Sequence, residues 1–207
     1  MAADSDNLVR LTKADIKAAA EVLAKAFQEY PLTAYFIPDA SKRLRKQASS
    51  FGGLIWNGIQ YGEVYATSSK MEGVAVWFLS DNRKIPPWRR PFIGRLFTML
   101  FVDRALLKRQ KAFGEYAGAV RKRVAPFPHW YLQVLGVDPE YQGQGFSSRL
   151  VKPMFSRADK EGLSCFLETQ AERNVALYEH LGFRVVEEGI IPGSGIKSWA
   201  MLRKNDR

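Results

Sequence analysis

Between residues 135 and 148 the chain reads Leu-Gly-Val-Asp-Pro-Glu-Tyr-Gln-Gly-Gln-Gly-Phe-Ser-Ser. Leu135, Gly136 and Val137 close an apolar run, and Gly143 and Gly145 stand at alternate positions just before Phe146, Ser147 and Ser148. A turn with glycines at that spacing lets backbone amides face outward with no side chain in the way. A helix opening at about Gln144 adds unpaired N–H groups and the positive end of its dipole. Such a turn binds anions, and a pyrophosphate suits it. Two other phosphate-binding patterns fail on single residues. A nucleotide P-loop needs Gly-Lys-Ser/Thr where Phe146 follows Gly145, and a dinucleotide fingerprint needs a third glycine where Ser148 stands.

A second group of side chains could move protons. Tyr178 carries a phenol of pKa about 10, a group that can hold a proton and donate it. Asn174 precedes it by four residues and shares its helix face. On spacing alone Tyr178 also reads as a half-buried aromatic that anchors its helix. Glu168, on the neighbouring strand, is a carboxylate that could act as a general base, directly or through water; a solvent-facing strand residue is the competing reading. His129 and His180 read as surface residues. Cys165, the one cysteine, reads as a small buried apolar residue, so neither a disulfide nor a thiolate metal cage is expected, and no His/Asp/Glu cluster has metal-ligand spacing.

These groups need strands and helices to hold them. A short strand at 8–11 leads to Thr12, which with Asp15 can form a capping arrangement for a helix carrying Ile16, Ala20, Leu23 and Phe27 on one face. That helix should end near Tyr30-Pro31, because a residue before proline avoids helical backbone. A second helix is expected over 41–60, a hairpin over 63–67 and 73–79, and a strong strand over 130–137. Residues 144–161 read as a helix kinked by Pro153, 165–169 as a strand, 172–181 as a helix, and 182–187 and 196–202 as the last strands. The alternation in the second half predicts an α/β domain.

The net charge of +10 over 207 residues has one source. Twelve basic residues fall between positions 83 and 123, against only Asp103 and Glu115, so the rest of the chain is neutral. Trp88, Phe92, Phe97 and Phe101 are interleaved with those arginines. The segment reads as a basic, amphipathic helical insertion, with a nucleic-acid or anionic-membrane contact and a lid over an acceptor pocket as the other readings. No stretch approaches the roughly 20 apolar residues of a membrane-spanning helix, and residues 1–7 lack the features of a secretion signal. A soluble, cytoplasmic protein with a single domain over 1–207 is expected.

Val137-Asp138-Pro139-Glu140-Tyr141-Gln142-Gly143-Gln144-Gly145 resembles the acyl-CoA signature, Q/R-x-x-G-x-G/A, of the GNAT superfamily of N-acyltransferases. Phe166-Leu167-Glu168-Thr169-Gln170, Arg173-Asn174, Tyr178-Glu179 and Leu181-Gly182-Phe183 are similar to the strand, helix and closing strand that follow it there. Ala26-Phe27, Tyr30-Pro31, Val74-Ala75-Val76-Trp77 and Trp199 resemble the puromycin N-acetyltransferase-like members. The resemblance is loose over 8–80, good over 129–204 and slight over 83–123.

The resemblance implies a mixed, mostly antiparallel sheet of about seven strands flanked by helices, and acetyl-CoA as co-substrate with no metal. Gln142 to Ser148 would hold the cofactor's pyrophosphate. Leu135, Gly136 and Val137 would pair with the pantetheine arm where the fourth and fifth strands part at a bulge, and Asn174 would bond that arm or a water. Tyr178 becomes the general acid and Tyr30 a substrate-side residue, although Tyr30 could equally be a packing residue at a helix end. Two positions depart from the pattern: Ser147 replaces the final small residue of the signature, and Gln133 stands where many members place a glutamate. The implied activity is acetyl transfer to an amine of a small-molecule acceptor. A CoA-binding sensor without turnover and a protein-lysine acetyltransferase with a basic contact surface are the alternatives.

Overall fold

The computed structural model describes residues 8–80 and 104–205. Within them lies a seven-stranded sheet of order β1-β2-β3-β4-β5-β7-β6: β1 (Val9–Arg10), β2 (Glu63–Ala66), β3 (Gly73–Leu79), β4 (His129–Val137), β5 (Ser164–Thr169), β6 (Arg184–Ile190) and β7 (Lys197–Arg203). Neighbouring strands are antiparallel except β4 and β5, which are parallel. The helices are α1 (Ile16–Ala26), α2 (Pro31–Phe36), α3 (Ala40–Tyr61), α4 (Arg104–Val124), α5 (Phe146–Glu161) and α6 (Arg173–His180). The expected mixed sheet is therefore present. Of the basic segment, residues 83–103 lie outside the described residues, and 104–123 belong to α4.

The pleat sorts the core into three groups. One face carries Ala75, Trp77, Trp130, Leu132, Cys165, Leu167 and Met201, packed with Leu150, Met154 and Phe155 of α5 and Tyr178 of α6. On the other face Val64, Val74 and Val76 meet Ala19, Ala20 and Leu23 of α1 and Ile55 of α3. The same face farther along carries Tyr131, Phe166, Ala200 and Leu202 against Val120 of α4. Each large side chain buried this way contributes roughly 1.5–3 kcal/mol. No helix among the described residues is long and apolar enough to cross a membrane.

Thr12 and Asp15 form the expected capping box, with the Thr12 N–H and hydroxyl 2.7 and 2.8 Å from Asp15 Oδ2. The first helix ends earlier than its sequence suggests. It stops at Ala26, Tyr30 becomes the N-cap of α2, and Pro31 takes that helix's first position. Proline's missing N–H costs nothing there and its fixed φ suits a helix start, so the Tyr30-Pro31 pair begins an element as well as excluding one. The expected helix from Gln144 starts at Phe146, with Gly145 as its cap, and runs through Pro153 to Glu161. His129 also departs from its surface reading: it is the first residue of β4, 2% exposed, with its ring between Phe127 and Phe166.

Candidate active site

The site begins with a fault in the sheet. Along β3 and β4, Val76 faces Val134 but Trp77 faces Leu132, which leaves Gln133 without an opposite residue. An extra residue of this kind bends a strand and disrupts its ladder. The parallel pairing of β4 with β5 ends at Tyr131 and Phe166, yet β4 continues to Val137 and β5 to Thr169. The two strands therefore diverge into a fork. The Gly136 carbonyl is directed at β3, 3.1 Å from where a Cβ on Gly73 would sit. Backbone polar groups alternate in direction along a strand, so those of Leu135 and Val137 turn towards the gap. One of them is taken, since Gln142 Nε2 donates to the Val137 carbonyl at 3.1 Å. Gly136 has a packing reason as well, because a Cβ there would lie 2.7 Å from Leu23 Cδ2 and 3.2 Å from the Ala26 Cβ on α1.

At the open end of the fork lies the glycine turn. Gly143 has φ 77° and Gly145 φ 80°, and neither has an atom within 4 Å of a built Cβ. Backbone conformation, with open space beside it, explains both glycines. After Gln142, whose N–H bonds Pro139 O, the next amide with an intrachain partner is that of Arg149, on Gly145 O at 3.2 Å. The six consecutive amides of Gly143, Gln144, Gly145, Phe146, Ser147 and Ser148 have no partner among the described residues. The turn is held from two sides. Asp138, 5% exposed, takes Lys25 Nζ of α1 at 2.9 Å and the Glu140 N–H at 3.2 Å, and its own N–H donates to Glu72 O at 2.8 Å. These groups fit a pyrophosphate at the turn and an extended chain in the fork.

On the α5–α6 face, Tyr178 is 7% exposed, edge-on to Phe183 with centroids 5.9 Å apart. Its hydroxyl makes no hydrogen bond among the described residues. Burial first, and the nearby Tyr30 second, hold its pKa well above the ordinary phenol range. The Tyr30 hydroxyl accepts the Gln170 N–H at 2.7 Å and lies 3.1 Å from Thr169 Oγ1 and 3.3 Å from Gln170 Oε1. Asn174 sits half-buried one helical turn before Tyr178. The structure thus gathers Tyr30, Asn174 and Tyr178 near the end of β5. Thr169 and Gln170, quoted in the sequence only as part of a motif, join them.

Glu168 lies apart from that group. Alternation along β5 puts Leu167 on the Tyr178 face and Phe166 and Glu168 on the opposite one. There Glu168 Oε2 accepts the Tyr131 hydroxyl at 2.6 Å, while Oε1 is buried with no partner among the described residues. Burial raises the carboxyl's pKa, opposed by the Tyr131 bond and by Arg121. The Gln133 amide lies near the same Tyr131 hydroxyl, and Arg121 covers the Tyr131 ring at 4.6 Å. Sequence reasoning missed Tyr131. Its spacing from Gln133 was the available signal, but only the end of strand pairing brings Tyr131 beside Glu168.

His129 stands at the closed end of the fork with Nδ1 2.7 Å from Phe127 O, and burial lowers its pKa. His180 is exposed at the end of α6. Among the described residues, no three His, Cys, Asp or Glu side chains are grouped to hold a metal ion.

The model of the Acetyltransferase (GNAT) family matches residues 75–183, from β3 through the fork and turn to the start of β6. An uncharacterized N-acetyltransferase of Schizosaccharomyces pombe is 26% identical over 183 residues, covering 84% of this chain and 72% of that protein. Two further curated matches are longer proteins, of which the aligned parts make up 23% and 25%. Among solved structures, a histone acetyltransferase HPA2 and related acetyltransferase from Corynebacterium glutamicum superposes with a TM-score of 0.64 at 22% identity, covering 96% of this chain and 95% of that one. The Drosophila melanogaster polyamine N-acetyltransferase gives 0.63 at 14% identity, covering 95% and 99%. At those identities the structures speak to the fold alone, but the family match spans more than half of the sequence and includes both branches of the fork. This chain belongs to the GNAT acetyltransferase family.

Proposed function

We propose that this protein transfers an acetyl group from acetyl-CoA to the amine of a small-molecule acceptor by direct attack. The observation that carries the reading is the run of six unpaired amides at the open end of a fork whose two faces bear Glu168 and Tyr178. Acetyl-CoA supplies an acyl group activated as a thioester. Gln142 to Ser148 hold its pyrophosphate, the backbone of Leu135 and Val137 aligns its extended arm, and Asn174 bonds that arm from α6. Glu168 Oε1 takes the proton of the acceptor amine, freeing the nitrogen lone pair. Tyr178 Oη donates its proton to the departing sulfur, and the acylated nitrogen then releases its second proton, which restores the phenol. With Glu168 and Tyr178 on opposite faces of the sheet, each proton is handled by its own group while the amine adds to the thioester carbonyl and the tetrahedral adduct expels the thiolate. Tyr30, bonded to the end of β5, orients the acceptor.

The acceptor class follows from resemblance: the puromycin N-acetyltransferase-like motifs point to a small amine, and the Drosophila neighbour is described as forming N-acetylagmatine. The test is thiol release from acetyl-CoA with arylalkylamines, polyamines and a lysine peptide. We expect release above background with a small amine. Binding of acetyl-CoA with no release for any acceptor leaves a sensor, release with the lysine peptide alone makes the protein a peptide acetyltransferase, and failure to bind acetyl-CoA overturns the reading.

A further inference from the structure

We propose that Tyr131 is the positioning residue of the acceptor site: its hydroxyl occupies Glu168 Oε2 and leaves Oε1 as the carboxylate oxygen that receives the amine's proton. The inference rests on the reading above and goes beyond it, because it assigns a partner to the base and explains how the site functions with Gln133 in the bulge. Three observations carry it. The Tyr131 hydroxyl stands 2.6 Å from Oε2, the distance of a charge-assisted bond. Oε1 is buried and unpartnered among the described residues, an arrangement that costs free energy unless a donor arrives. Both residues flank the point where β4 and β5 cease to pair.

Gln133 completes the arrangement. A glutamate at that position would place a second carboxylate near the Tyr131 hydroxyl, whereas the neutral amide there adds no charge. Tyr131 keeps its proton throughout the working range, since burial and Glu168 push its pKa far up; it is a permanent donor. Among the described residues, the charged and titratable groups around the carboxylate are Tyr131 on β4 and Arg121 and Tyr116 on α4. Glu187 of β6 lies beyond Tyr116 and is neutralised by Arg123, with Nε 2.9 Å from Oε2. In the step itself an ammonium N–H bond breaks and an O–H bond forms at Oε1, while the Tyr131 proton stays in place.

The test is the pH profile of turnover, measured by thiol release with the best amine, for the parent, Tyr131→Phe, Glu168→Gln and the double variant. The acidic limb belonging to Glu168 is the one lost in Glu168→Gln. Removing a donor from a carboxylate raises its pKa, so Tyr131→Phe should move that limb to higher pH by about one unit, with activity falling mainly below the limb. In the Glu168→Gln background the same substitution should move nothing. Site-specific 3-fluorotyrosine at 131, a stronger donor of nearly the same shape, should move the limb to lower pH, and it provides the test if Tyr131→Phe does not fold. Limbs that coincide for the parent, Tyr131→Phe and the fluorinated protein, with acetyl-CoA binding intact, overturn the positioning role. A Glu168→Gln variant with the parent's full profile overturns instead the assignment of the base.

Discussion

Replacing Gly145 separates the two reasons for a glycine at the start of α5. Its φ of 80° is in the left-handed region, and a Cβ there would touch nothing within 4 Å. Alanine therefore brings only backbone strain, roughly 1–2 kcal/mol, equivalent to a melting-temperature fall of about 2–8 °C in a chain of this size. Gly162, which caps the other end of the same helix with φ 71° and equally open space, is the internal control. Gly162→Ala should cost the same stability about 24 Å away and leave acetyl-CoA affinity unchanged. Gly145→Asp adds a negative charge some 5 Å from the expected phosphates. Coulomb repulsion at that distance is about 0.8 kcal/mol per unit charge in water and about 3 kcal/mol at an effective dielectric of 20. The dissociation constant should therefore rise by roughly 4- to 150-fold over that of Gly145→Ala. Calorimetric titration of the three variants with acetyl-CoA, alongside melting curves, makes the comparison. If Gly145→Asp binds as tightly as Gly145→Ala, no phosphate sits at the turn and the reasoning from unpaired amides is refuted.

Two further outcomes follow from buried titratable groups. The folded-state pKa of Glu168 is raised by burial, so between its unfolded value of about 4.3 and its folded value the native state holds more protons and stability falls as pH rises. Glu168→Gln should then melt higher than the parent at pH 7 while turning over more slowly, with the stability difference vanishing below about pH 4; a lower melting temperature at pH 7 contradicts this. Cys165 is fully buried, and its thiol is pushed up to about 12, so alkylation at pH 8 should proceed only in denaturant. Rapid stoichiometric labelling of the native protein would show the thiol to be accessible.

The turn was legible in the sequence because its constraints are local: positive φ at Gly143 and Gly145 and the start of a helix are written in residue types. So was the capping box of Thr12 and Asp15, and so were most of the strands, whose branched and aromatic runs match β2 to β5. The bulge was not, because leaving Gln133 unpaired is a matter of register between β3 and β4, which no single strand encodes. The placement of Glu168 and Tyr178 on opposite faces depends on which side of β5 the helix α6 packs against, a contact between elements that the sequence does not spell out. His129 misled because its neighbours Pro126 to Pro128 look like loop, whereas the buried strand it opens is defined by partners far away in sequence. Tyr30-Pro31 was ambiguous for another reason, since the same proline ends one helix and begins the next.

The most direct measurement of the central claim is turnover and acetyl-CoA affinity for Tyr178→Phe against the parent. Phenylalanine keeps the contact with Phe183 in the α5–α6 core and removes only the hydroxyl, which has no partner to lose among the described residues. If that hydroxyl protonates the departing sulfur, thiol release with the best amine should fall on the order of 10² to 10⁴-fold while the dissociation constant for acetyl-CoA stays within about threefold. Turnover within a few-fold of the parent would show the ring to be an anchor and contradict the assignment of Tyr178 as the acid.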